Sequence, residues 1–475
     1  MAYLLDWASA RERLLGAVLA HRAAARDRET GLIAEGYLID ERVASAARGL
    51  GLSPAAAMPA SALLPIGLPR VALFCGKAIG YPYYAYYAHC LLSLGLPFAA
   101  VDGQAVATGA LDGADLLIMP GGFATWGLDR AEDCTGVDLA VQNFIARGGA
   151  FIGSCGGAFY VSQGRPGWLG LVDAKPKFTH EYLQTGAGVV NIRLTDPAIR
   201  GALPEIIEVP YYHGPAYPPD AGGARQARTL GEFADFAMPS RLFIDNPLDR
   251  DRFEQDLRGG PAVVAADSSV GRVLVFSPHP EMGDFVRKGI ALDGYVRRYL
   301  PIRGEKTMDE TLRFYATEDC LSFQLVLNAM ISLGLFERKG ERQALSTAGE
   351  ADGGELRAVL HAARDAIAHA ADTIQFRVEQ EEGSGIASLV GKELARRRTE
   401  WAEVEDGFSR EIHAGGLDAN VVAALVYALN DAVPAARAAG GAPLAQSLVL
   451  LELPIRLAAA AARIVRCDRA LGELN

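Results

Sequence analysis

The chain of 475 residues lacks any uncharged apolar run of about 18 residues, the length a membrane helix needs. Its most apolar helical stretch, around 443–467, is interrupted by Glu452, Arg456 and Arg463, so no membrane partner is expected. It also lacks a basic surplus. Lys and Arg number 46 against 57 Asp and Glu, a net charge of -11, which argues against a groove for nucleic acid. The one dense basic run, Arg396-Arg397-Arg398, reads as a solvated helix face. Paired cysteines are missing too. Cys75, Cys90, Cys134, Cys155, Cys320 and Cys467 include no CxxC and no Cys/His spacing suited to zinc. Neither a metal nor a disulfide framework is expected, and no cofactor. The N-terminal Met1-Ala2-Tyr3-Leu4-Leu5-Asp6 reaches an acid before any basic-then-apolar leader. Free thiols and this start lead to the expectation of a cytoplasmic chain.

What is present is an ordinary globular composition, 50% hydrophobic and 22% charged, at a length that suggests two or three domains. Residues 1–68 read as an N-terminal helical segment, with Leu14, Leu15, Val18 and Leu19 on one face, followed by a Pro/Ala linker over Pro54–Pro69. The pattern changes at Arg70. Short apolar runs at Val71–Phe74, Phe98–Val101, Leu116–Met119 and Ala150–Gly153 alternate with helical stretches at Tyr83–Leu94 and Val137–Arg147. That alternation predicts a parallel sheet covered by helices, an α/β domain over 69–303. Further runs at Val189–Leu194, Ile206–Val209, Ala262–Ala265 and Val273–Phe276 predict more strands, some antiparallel, and Asp284–Tyr299 predicts a helix. Residues 304–475 read as a helical C-terminal region. Its second half, broken near Gly383-Ser384-Gly385, Gly415-Gly416 and Gly440-Gly441, has the pattern of a bundle of about four helices. These helical regions offer surfaces for a homo-oligomer or a protein partner.

Chemistry concentrates at three strand ends. In Gly153-Ser154-Cys155-Gly156-Gly157-Ala158, small residues allow a tight turn that presents a thiol between a buried strand and a helix N-terminus, which favours thiolate. In Val273-Leu274-Val275-Phe276-Ser277-Pro278-His279-Pro280-Glu281, a strand ends in a histidine followed two residues later by a carboxylate. Residues i and i+2 of an extended chain project to one side, so Glu281 can orient His279 toward the thiol. Leu116-Leu117-Ile118-Met119-Pro120-Gly121-Gly122 ends in glycines whose N–H groups, with that of Gly156, would form an oxyanion hole. Tyr81, Tyr83, Tyr84, Tyr86, Tyr87, His180, Tyr211, Tyr212 and His213 surround the expected site. Of these, Tyr81, Tyr83, His180 and His213, together with Phe159, are the candidates for a substrate pocket.

Taken in order, these motifs resemble the class I glutamine amidotransferase-like superfamily. The nearest likeness is to the domain at the N-terminus of some biotin–protein ligases, and a weaker anchor is Tyr211-Tyr212-His213-Gly214-Pro215. The resemblance covers about 69–303 and implies a flavodoxin-like doubly wound sheet with a Cys155, His279, Glu281 triad. Phe159 stands where glutamine-using members carry Gln or Glu, and the chain shows neither a P-loop nor a ligase's adenylate motif. The expectation is therefore a cysteine hydrolase or amidase acting on a small-molecule amide or ester through a thioester. The alternative is a non-catalytic ligand-binding or regulatory module of the same fold.

Overall fold

The computed structural model describes residues 2–6, 10–26, 28–33, 35–58, 65–75, 79, 81–122, 135–179, 185–219, 227–236, 248–266, 269–283, 321–337, 353–381, 385–414, 419–442 and 444–472. The helix predicted over Asp284–Tyr299 and most of 304–350 lie outside them.

The N-terminal segment differs from its expected all-helical form. Helices α1 (Ala10–Ala25) and α2 (Glu41–Gly49) are there, but they pack with strands β1 (Ala2–Asp6), β2 (Thr30–Ile33), β3 (Gly36–Ile39) and β4 (Ala55–Met58). The four strands form an antiparallel sheet in the order β2-β3-β1-β4, and β4 lies within the expected linker. Strands of four or five residues give too short an alternation to compete with the Ala/Leu helix signal around them.

The second sheet carries the site. Its parallel part contains β5 (Val71–Phe74), β6 (Phe98–Val101), β7 (Leu116–Met119), β8 (Ala150–Ser154) and β13 (Arg272–Phe276). They lie in the order β13-β8-β7-β5-β6, every adjacent pair parallel. Their residues are buried almost throughout, which is why they read as continuous apolar runs. The linking helices are α3 (Tyr83–Ser93), α4 (Gly103–Ala107), α5 (Thr135–Ala146) and α6 (Gly156–Val161). An antiparallel extension of β9 (Ala187–Leu194), β10 (Ile206–Tyr212), β11 (Arg228–Phe236) and β12 (Pro261–Ala265) completes nine strands; helix α7 (Pro197–Arg200) joins β9 to β10. Strand β11 was not foreseen, because charged residues interrupt it and its pairing shifts register at Gly231.

Helix α8 (Leu321–Ser332) is followed by four long helices, α9 (Gly353–Gln380), α10 (Gly385–Ala414), α11 (Ala419–Ala439) and α12 (Leu444–Gly472). Helix α12 packs on α1 and α3, and Arg22 makes paired 2.9 Å bonds to Asp468 that tie it to the N-terminal segment. Tyr84 of α3 also donates to Asp431 of α11 at 2.5 Å. The basic run is only partly solvated. Arg396 and Arg398 are exposed, but Arg397 is 4% exposed and paired with Glu400 at 2.5 Å and Glu452 at 3.0 Å. A triplet spans most of a helical turn, so its middle member faces the bundle.

Candidate active site

Strand β8 ends at Ser154, and the backbone turns at Cys155 with φ 48° and ψ -104° before α6 begins. Such a conformation costs about 1–3 kcal/mol and persists only when its surroundings hold it. Here the Cys155 N–H donates to the Phe276 carbonyl of β13 at 3.0 Å, and the Cys155 carbonyl accepts from the Phe159 N–H at 2.9 Å. Gly157 must be glycine, since a Cβ there would strike the Met119 carbonyl at the end of β7. The small residues of the motif are thus imposed by close packing of three strand ends.

Because β13 is the parallel neighbour of β8, with Phe276 opposite Ser154, His279 emerges beside the thiol. The Cys155 Sγ lies 3.2 Å from the Tyr212 carbonyl oxygen, and His279 Nε2 lies 3.4 Å from the same oxygen. The Cys155 sulfur and the His279 ring thus converge on one carbonyl oxygen. His279 Nδ1 donates to Glu281 Oε1 at 2.7 Å. A carbonyl and a carboxylate only accept, so this geometry suits a ring that carries hydrogen on both nitrogens. Complete burial alone would lower its pKa. The charges of Glu281 and of the Cys155 sulfur, with their hydrogen bonds, outweigh burial and raise it to about 10.

Glu281 is 1% exposed and needs partners of its own. Its Oε2 accepts from Ser154 Oγ at 3.0 Å, and the Tyr87 hydroxyl lies 2.5 Å from Ser154 Oγ. Burial holds the Tyr87 pKa well above its usual range, so Tyr87 keeps its proton. Sequence reasoning gave Ser154 no role beyond its small size and took Tyr87 as one of five tyrosines. The Tyr212 carbonyl was missed because a backbone acceptor has no sequence signature.

At Gly121 a Cβ would strike His279 Cε1 and come within 3.2 Å of the Cys155 Cβ; at Gly122, with φ +85°, it would meet the Tyr83 ring. Tyr83 lies 6.5 Å from His279 between ring centroids and is hydrogen-bonded to the Tyr212 side chain. Gly156, buried, opens α6 beside the thiol. His213, with φ 50°, accepts at Nδ1 from the Gly186 N–H at 3.1 Å and packs on Tyr212 at 4.9 Å. Burial and the nearby His279 charge lower its pKa, so it is neutral. Tyr81 is turned toward Tyr84, 6.4 Å away. Phe159 is buried against Trp168 at 5.4 Å, so it packs where a pocket wall was expected. His180 lies outside the described residues. Among the described residues no group of three or more His, Cys, Asp and Glu could hold a metal, and no helix is long and apolar enough to cross a membrane.

No family model matches the chain, and no curated protein does. Among solved structures it is similar to a glutamine amidotransferase from Thermotoga maritima, at 12% identity and a TM-score of 0.36, over 56% of this chain and 98% of that one. It is similar to a ThuA-like protein from Bacteroides uniformis at 12% identity and a TM-score of 0.29, over 56% and 92%. A two-domain protein with DJ-1/ThiJ/PfpI-like and ferritin-like domains from Anabaena variabilis shares 11% identity and a TM-score of 0.23, over 85% and 96%. Likenesses this distant say nothing of what this chain does.

Proposed function

We propose that the chain is a cysteine-dependent hydrolase or amidase of glutamine amidotransferase-like fold, acting on a small-molecule amide or ester. One observation carries this reading. A buried imidazolium, oriented by Glu281, shares the Tyr212 carbonyl with the Cys155 sulfur. A cation beside a sulfur favours thiolate, so this reading takes thiolate and imidazolium as the reacting pair. Cys155 attacks the carbonyl carbon, and the N–H groups of Gly156, Gly121 and Gly122 stabilise the oxyanion. His279 gives its Nε2 proton to the leaving amine or alcohol, leaving a thioester. The now neutral ring takes a proton from water, hydroxide displaces the sulfur, and the acid is released with the ion pair restored. A flavodoxin-like winding of the proposed 69–303 domain is supported by the parallel order β13-β8-β7-β5-β6, which matches the doubly wound order 2-1-3-4-5. The likeness to a biotin ligase-type domain rests on the sequence motifs alone.

A second reading, a ligand-binding or regulatory module, is favoured by the enclosure of the thiol: Cys155 is 6% exposed. A p-nitrophenyl ester decides between them. The enzyme reading expects an acyl adduct on Cys155, located by mass spectrometry, released by hydroxylamine and absent in Cys155→Ser. Without any adduct the module reading stands.

A further inference from the structure

We propose that Ser154 and Tyr87 are positioning residues, a relay that pins Glu281 so that it holds His279 against the thiol; this rests on the reading above. The hydrogens along the relay have fixed directions. A carboxylate cannot donate, so the single Ser154 hydroxyl hydrogen goes to Glu281 Oε2. The Ser154 oxygen is then the acceptor, and the Tyr87 hydroxyl donates to it at 2.5 Å. Both oxygens of Glu281 are thereby used, Oε1 by His279 and Oε2 by Ser154. All four side chains are 1% exposed or less, so water does not compete for these bonds.

The relay has a geometric logic. Ser154 and Cys155 are consecutive at one strained turn, so the turn that sets the sulfur also sets the anchor of the carboxylate. Tyr87 stands on α3, whose position is fixed from outside by α12 and by the Tyr84–Asp431 bond. The long C-terminal helices therefore bear on Tyr87 through α3, while α8 packs directly on the turn Pro280–Met282 that carries Glu281.

The test reads His279 directly, in the full chain carrying nitrogen-15 histidine. Its signal among eight histidines is assigned by its loss in His279→Gln. Ser154→Ala frees Oε2, Nδ1 loses its fixed acceptor, and the pH at which His279 releases its second proton falls by about one unit. Tyr87→Phe moves it the same way, roughly half as far. If Ser154 acted mainly by drawing charge from Glu281, its removal would raise that pH; a rise, or no change, overturns the proposal. Should Ser154→Ala fail to fold, Tyr87→Phe decides by the same sign. An inert thiol beside a titration that falls as expected removes the proposed activity and leaves the relay. A reactive thiol with an unmoved titration does the reverse.

Discussion

Two cysteines occupy equivalent places in the main sheet, Cys75 immediately after β5 and Cys155 immediately after β8. Both are buried, and each has its sulfur 3.2 Å from a backbone carbonyl oxygen, Val101 for one and Tyr212 for the other. Position at the end of a parallel strand and a carbonyl contact therefore do not make a nucleophile. The surroundings differ. Burial, together with the Asp102 and Asp431 carboxylates, pushes the Cys75 thiol up to about 12 against a weaker effect of its Tyr427 hydrogen bond. Cys155 sits on a left-handed backbone, on the N-terminus of a helix, beside a cation. On the proposed reading, a strained turn and a protonated neighbour, rather than strand topology, are what would separate a reactive thiol from filler.

The comparison can be broken or sharpened, starting from the largest effect. Arg397→Ala removes one of the two guanidinium partners of buried Glu452, leaving Arg456 at 3.3 Å, and should destabilise the helices by about 1.5–3 kcal/mol, read by chemical denaturation. Below the unfolding transition, alkylation of Cys155 should be unchanged and Cys75 should stay unmodified. Gly121→Ala drives a methyl into His279 and should slow Cys155 alkylation about 100-fold without touching Cys75. The smallest effect per unit is on pH stability. His279 keeps its proton to about 10 when folded, against an ordinary 6.5, so its stabilisation is complete below about 6.5 and is lost as pH rises toward 10. Stability should fall across that window by at most about 1.4 kcal/mol per pH unit, a slope that His279→Gln removes.

Much of this contrast was legible in the sequence. Strands β5 to β8 read clearly because buried parallel strands are apolar on both faces. The residues Cys155, His279, Glu281 and Gly121 announced themselves because tight turns at strand ends restrict composition. Other features had no such signature. The N-terminal strands are too short for their alternation to show, and β11 is broken by charge and by its register shifts. Arg397 looked solvated because three consecutive arginines do not reveal which one faces inward. Ser154 and Tyr87 gain their roles only from meeting Glu281 across the fold, which the local pattern does not encode.

The central claim, a thiolate held ready by protonated His279, is tested most directly by mass-resolved iodoacetamide alkylation across pH in wild type and His279→Ala. Wild type should label at Cys155 well below pH 8, with Cys75 untouched, and His279→Ala should move the Cys155 profile toward that of an ordinary thiol. Identical profiles in the two proteins, or Cys75 and Cys155 labelling together, would contradict it.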